Sequence, residues 1–217
     1  MEQLVNALEV LIQVLQLLWR IGIFLHRYGL DLITSVLGLA YILLEYKASV
    51  WMWVVGFMMQ SLGIVLYYQK GLYADCGMEF YYLAMTVYGF IAWMRHKQKV
   101  ADLPIRHMPK KVAVIWFSLA IVIWAAIYFV LSRFTNSNVP ILDAFTTALS
   151  IVGIWALARK YLEQWLVWIV VDIVTSALYF YKDIPFKASL YALYVVIAIF
   201  GYFKWKQMME SVQVQTK

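Results

Sequence analysis

Long apolar stretches, broken at intervals by short polar clusters, run through most of the chain. Seven of them cover about residues 31–46, 50–69, 75–94, 112–131, 141–158, 163–181 and 187–205. Most approach the roughly 20 residues an α-helix needs to cross a hydrocarbon core about 30 Å thick. The first is shorter, which predicts little tilt or partial burial by its neighbours. The breaks are Lys70-Gly71, a basic segment 95–111 containing Pro104 and Pro109, the polar run from Thr135 to Pro140, and Lys182-Asp183 before Pro185. Each carries glycine, proline or charge where a helix is expected to stop. The pattern predicts an all-α membrane protein with seven transmembrane helices.

Residues 4–25 are different. Asn6, Glu9, Gln13, Gln16 and Arg20 interrupt the apolar run at alternating steps of three and four, so they share one helix face. That predicts an extra N-terminal helix, amphipathic or peripheral, over residues 1–28, lying along the interface with its polar stripe towards the headgroups. The other arrangement has the helix spanning, with the stripe turned towards protein.

Basic residues set the orientation. Arg95, Lys97, Lys99, Arg106, Lys110 and Lys111 crowd the segment after the third span, and Lys47, Arg159, Lys160, Lys204 and Lys206 fall on the same side. Positive charge concentrates in cytoplasmic loops, so the C-terminus is expected inside.

The chain also repeats itself. A shift of 112 residues places Trp53 on Trp165, Tyr67 on Tyr179, Lys70 on Lys182, Tyr82 on Tyr194, Gly89 on Gly201 and Trp93 on Trp205 without a gap. Residues 34–93 thus recur as 146–205. Each copy holds three spans, and the span at 112–131 joins them and returns the second copy to the orientation of the first. Such parallel repeats are related by an axis along the membrane normal, with the solute site near the midplane between them. The resulting division is an N-terminal helix (1–28), a first three-helix repeat (31–94), a basic cytoplasmic loop (95–111), a linker helix (112–131), a second three-helix repeat (141–206) and a cytoplasmic tail (207–217).

Composition narrows the class. Of 217 residues, 65% are hydrophobic and only 14% charged, and the mean hydropathy is +0.75; a soluble domain of this size does not have that balance. No cleavable signal is expected, because acids stand near the N-terminus and no small-residue cleavage site follows the first apolar run. The net charge of +6 sits in loops and speaks of topology, not of nucleic acid. A single cysteine, Cys76, excludes an intramolecular disulfide, and His26, His96 and His107 share no ligand spacing. No metal or cofactor is expected.

The candidate chemistry lies in the sixth span. Trp165, Trp168 and Asp172 fall at i, i+3 and i+7, on one helix face. A carboxylate midway along a membrane helix costs about 2.5–3.5 kcal/mol on insertion scales and persists only beside a partner or a wet cavity. Two indoles and an acid suit a flat solute that is cationic or rich in hydrogen-bond donors. The repeat maps Asp172 onto Gln60 and Trp168 onto Gly56, so the first half offers space where the second offers an indole. Glu79 and Thr86 share a face of the third span. Trp53, Tyr82 and Tyr194 complete the candidate site. The alternative is polar glue between helices, with Gln60 and Asp172 bonded to each other or to hydroxyls such as Ser61 and Ser176. A membrane enzyme is a weaker reading, since no nucleophile–base pair, metal motif or phosphate loop is present. A structural membrane protein is a further alternative, disfavoured by the repeat and its polar midplane groups.

Gly71-Leu72-Tyr73-Ala74, Tyr88-Gly89 followed by Trp93, and the run Arg159-Lys160-Tyr161-Leu162-Glu163-Gln164-Trp165-Leu166-Val167-Trp168 resemble the Pnu-type vitamin transporters over about residues 31–206. The resemblance implies a SWEET-like fold of two three-helix bundles and a linker helix. It also implies a bacterial inner-membrane protein, facilitated diffusion of an unphosphorylated vitamin, trapping by a separate cytoplasmic kinase, and a homotrimer. The family's Trp-x-x-Trp-x-x-x-Asn stands here as Trp165, Trp168 and Asp172, and Glu79 replaces a glutamine of the nicotinamide riboside carriers. A carboxylate only accepts hydrogen bonds. Two of them suit the aminopyrimidine and thiazolium of thiamine, which makes thiamine the expected substrate, with nicotinamide riboside the alternative and riboflavin third.

Overall fold

The computed structural model describes residues 36–69, 73–99, 104–135, 138–182 and 185–215, with Gln13 and Ile33 besides. The helix expected over 1–28 therefore lies, apart from Gln13, outside the described residues. Seven helices follow: α1 (Val36–Tyr46), α2 (Trp51–Gln69), α3 (Tyr73–Lys99), α4 (Lys110–Phe134), α5 (Pro140–Ala158), α6 (Gln164–Tyr181) and α7 (Pro185–Gln215). They coincide with the seven apolar stretches. Two run further than the apolar pattern. α3 continues through Arg95–Lys99, and α7 absorbs most of the expected tail and reaches Gln215, because neither extension contains a glycine or proline to stop it.

Among the described residues, four helices are long and apolar enough to cross a membrane: α4, α5, α6 and residues 188–211 of α7. α1 and α2 contribute the shorter apolar helices Val36–Tyr46 and Trp51–Leu66. α3 mixes Asp75 and Glu79 into its first turns.

Within each half, consecutive helices pair: α2 packs on α3 and α6 on α7. α5 joins the halves by touching both α3 and α6, and the linker α4 lies against α5. α4 buries only Ala120. Its attachment is aromatic: Trp116 stacks on Trp155 with centroids 4.0 Å apart, and Trp124 donates its indole N–H to the Ile141 carbonyl at 3.0 Å. Its remaining face, with Val114, Ile115, Phe117 and Val122, is exposed apolar surface of the kind lipid covers.

The repeat is written into backbone geometry. α1 ends at Ala48 with φ 50° and α5 at Lys160 with φ 52°, two positions 112 residues apart. In each turn the left-handed residue donates three residues back (Ala48 to Glu45, Lys160 to Leu157), and the next residue donates five back (Ser49 to Leu44, Tyr161 to Ala156). This is the Schellman arrangement, here closed without a glycine. The aromatic anchors are equally paired. Trp53 meets Trp93 edge-on at 5.5 Å and 88°, and Trp165 meets Trp205 at 5.7 Å and 88°. Gly89 and Gly201 make room for them, since an added Cβ would lie 2.4 Å and 2.6 Å from the indoles of Trp53 and Trp165. Each second tryptophan then crosses to the other half. Trp93 Nε1 donates to the Ala158 carbonyl at 3.1 Å, and Trp205 Nε1 to the Glu45 carbonyl at 3.0 Å. The residues that reveal the repeat are those that tie its copies together.

The basic segment after α3 is docked. Arg106 N–H donates to the Lys160 carbonyl and its own carbonyl accepts from Leu162 N–H, forming a short parallel bridge. The Glu163 carboxylate accepts from Met108 N–H at 2.8 Å and pairs with His107 Nδ1 at 2.8 Å.

Candidate functional site

A cavity of about 560 Å³ opens between the two repeats, within the usual size of a small-molecule site. Helices α1, α2, α3, α5, α6 and α7 all contribute to its wall. Trp165, Trp168, Asp172, Glu79, Gln60, Tyr82 and Tyr194 all line it, so the structure gathers residues from four helices that the sequence could associate only through the repeat. Trp53 and Thr86 do not line it. Trp53 is turned into the gap left by Gly89, and Thr86 is buried beside Gly56, its Oγ1 3.5 Å from the place of a Cβ there.

α6 supplies the aromatic wall. It starts just after the docked segment at Glu163, which fixes its rotation, and its cavity face then carries Trp165, Trp168, Val171, Asp172 and Thr175. Trp168 packs against Gly153 of α5, where a Cβ would lie 3.3 Å from its ring. The first repeat fills the same place from the opposite helix. Tyr41, the counterpart of Gly153, lies over Gly56, the counterpart of Trp168, where a Cβ would meet the Tyr41 ring at 3.1 Å. One ring and one gap occur in each half, exchanged between the helices.

The polar lining is acidic. Asp172 is 7% exposed and faces the cavity with Gln60, whose Oε1 has no hydrogen-bond partner. The serine hydroxyls that could have served as glue are engaged elsewhere: Ser61 donates to the Phe57 carbonyl at 2.7 Å and Ser176 to the Ala188 carbonyl at 2.8 Å. Glu79 packs its carboxyl group against Gly63, 2.9 Å from the place of a Cβ. Among the described residues lining the cavity there is no lysine, arginine or histidine.

The sequence reading missed Glu45. It lies in the last turn of α1, is 4% exposed, lines the cavity, and has Gln164 of α6 as a neighbour. Tyr41, Thr146, Thr147 and Ser150 were missed as well. A signal for Glu45 was present, because its repeat counterpart is Leu157, an apolar residue at a position where the scaffold evidently accepts one. A second cavity of about 510 Å³ shares Thr146, Thr147 and Thr175 with the first and is bordered by Lys182 and Asp143, which pair at 3.2 Å. No group of three or more potential metal ligands occurs among the described residues.

The family model described as "Nicotinamide mononucleotide transporter" matches residues 28–207. Curated relatives match over most of their length. The riboflavin/roseoflavin transporter RibM of Streptomyces davaonensis is 27% identical over 83% of this chain and 85% of its own. The nicotinamide riboside transporter PnuC of Escherichia coli is 22% identical over 81% and 84%. That of Neisseria mucosa is 24% identical over 82% and 72%. A crystal structure of the vitamin B3 transporter PnuC superposes with a TM-score of 0.68 over 93% of this chain and 90% of that one, at 21% identity, which shows a shared fold.

Proposed function

The chain belongs to the nicotinamide mononucleotide transporter family, and from that premise we propose that it carries an unphosphorylated, cationic aromatic vitamin by facilitated diffusion, with nicotinamide riboside first. The vitamin-transporter class follows from family membership, and the relatives change the order of substrates. Sequence reasoning put thiamine ahead on the strength of Glu79 and Asp172. The relatives named above handle nicotinamide riboside or riboflavin, and the same two acids serve the pyridinium of nicotinamide riboside as well as a thiazolium. The observation that carries the reading is the cavity itself. It lies between the repeats, has two indoles and Asp172 on the α6 wall with Glu45 and Glu79 on α1 and α3, and its described lining holds no basic side chain. An acidic site repels phosphate esters, which favours the riboside over the mononucleotide that gives the family model its name.

Thiamine is the second reading, supported by the three carboxylates that accept from its amino group and face its cation. Riboflavin is third, being neutral. The same proposal includes the SWEET-like arrangement of the two bundles, a homotrimer, a cytoplasmic C-terminus and a kinase that traps the solute inside. Counterflow in proteoliposomes tests the central claim: labelled nicotinamide riboside, thiamine, riboflavin and nicotinamide mononucleotide are offered to purified protein with no energy source. Saturable exchange of the riboside and none of the mononucleotide is the expected result. Exchange that requires a proton gradient at equal solute concentrations refutes simple facilitation, and exchange of thiamine alone reverses the substrate order.

A further inference from the structure

We propose that Glu45, backed by Gln164, is a second charge-recognition subsite for the solute, placed at the end of the cavity where α1 finishes and α6 begins. This rests on the reading of the cavity as the path of a cationic vitamin. The repeat supplies the first argument. The counterparts of Glu45 and Gln164 are Leu157 and Met52, and all four are buried, three of them completely. The mirrored half therefore builds the same helix junction from two apolar side chains, and packing does not require a polar pair. The second argument is unsatisfied bonding. Glu45 Oε1 and both amide atoms of Gln164 are buried outside good hydrogen-bond geometry, although Gln164 stands close enough to the carboxylate to interact with it; such incomplete pairing is costly away from water and leaves the carboxylate able to accept from a solute. The third is placement. Glu45 lines the cavity, Tyr41 stands one turn before it, and Trp205 holds its backbone carbonyl at 3.0 Å, so the carboxylate is presented by a fixed stretch of chain.

The three acids are stepped along the cavity. Glu79 lies at the level of Gly63 and Asp172 at the level of its counterpart Gln60, three residues nearer the middle. Glu45 lies at the level of Gln164, eight residues before Asp172, a helical rise of about 12 Å. A positive charge leaving Asp172 towards the α1 end meets Glu45 next. Asp172 and Trp168 hold the solute at the middle, and Glu45 receives its charge on the way out. The subsite takes a pyridinium or similar delocalised cation and gives no advantage to a neutral ring of the same shape.

The test compares nicotinamide riboside with its uncharged dihydro form in proteoliposome exchange. The variants are Glu45→Leu/Gln164→Met, which copies the junction of the other repeat, and Glu45→Gln, which keeps the shape and removes the charge. Both are expected to slow exchange of the charged riboside at least ten-fold and to change that of the dihydro form less than two-fold. Charged-riboside exchange that is unaltered in Glu45→Gln, or equal slowing of both solutes in both variants, overturns the inference and leaves the transport reading standing. Unsubstituted protein that exchanges neither form removes both.

Discussion

Asp172→Asn separates recognition from architecture. The side chain is nearly isosteric, Asp172 lines a cavity rather than a closed helix contact, and neither Ser61 nor Ser176 gives Asp172 its hydroxyl, since each bonds a backbone carbonyl of its own or the adjoining helix. The amide therefore keeps the shape of the wall and removes its charge. A hydrogen bond to a charged group contributes about 1.5–3 kcal/mol, and each ~1.4 kcal/mol is a factor of ten in affinity. Binding of nicotinamide riboside is expected to weaken by roughly ten- to hundred-fold, and that of thiamine by a similar factor. The melting temperature is expected to stay close to that of the unsubstituted protein, because no described interhelical hydrogen bond is lost. Isothermal titration calorimetry and a thermal melt on the same detergent-purified sample provide both readings. An unchanged affinity in a protein that melts normally takes Asp172 out of the site. A lowered melting temperature with unchanged affinity makes it helix glue.

Other outcomes follow from the same geometry. Trp168→Ala is expected to cost about 1–3 kcal/mol of solute binding by analogy with base stacking on aromatic residues, read in the same titration; an unaltered affinity refutes a stacking role. Gly89→Ala and Gly201→Ala place a Cβ 2.4 Å and 2.6 Å from a buried indole, and each is expected to destabilise by about 1–3 kcal/mol through overpacking, seen as a lower melting temperature. Asp143→Asn breaks an ion pair whose two side chains are each about one-third exposed, so its effect on the melt is expected within about 1 kcal/mol. A C-terminal reporter fusion that is active only in the cytoplasm is the expected topology result, and activity on the opposite face reverses the orientation read from the basic residues.

The helices and the repeat were legible in the sequence because their signals are local or periodic. Apolar length gives the spans, and Trp53, Gly89 and Trp93 recur in register because a ring, a notch and a second ring must coincide in both halves. The cavity was legible where repeat and helix face agreed, as at Trp168, Asp172 and Gln60. It was not legible at Trp53, whose spacing suits a lining residue as well as a core one; only the contact with Gly89 decides. Glu45 was passed over because an acid beside Tyr46 and Lys47 at a span's end looks like a solvated headgroup neighbour. What buries it is α6 arriving from 120 residues away in sequence, a tertiary fact that no window along the chain contains.

The exchange of ring and gap between Tyr41–Gly56 and Gly153–Trp168 constrains how two copies of one ancestral segment could have drifted apart. An indole cannot enter at position 56 while Tyr41 covers it, and a second ring cannot enter at position 153 while Trp168 covers that glycine. Along either route the ring must be lost before its replacement is gained, so the two positions of each pair are bound in one mutational order. Gly56→Trp alone should fold poorly, whereas Tyr41→Gly/Gly56→Trp should recover much of the loss, a strongly non-additive cycle. The recovered protein would carry the indole arrangement of the second half in both halves, and its cavity would present the solute with two near-equivalent ways to lie. The natural chain, with rings offered from opposite helices, presents one.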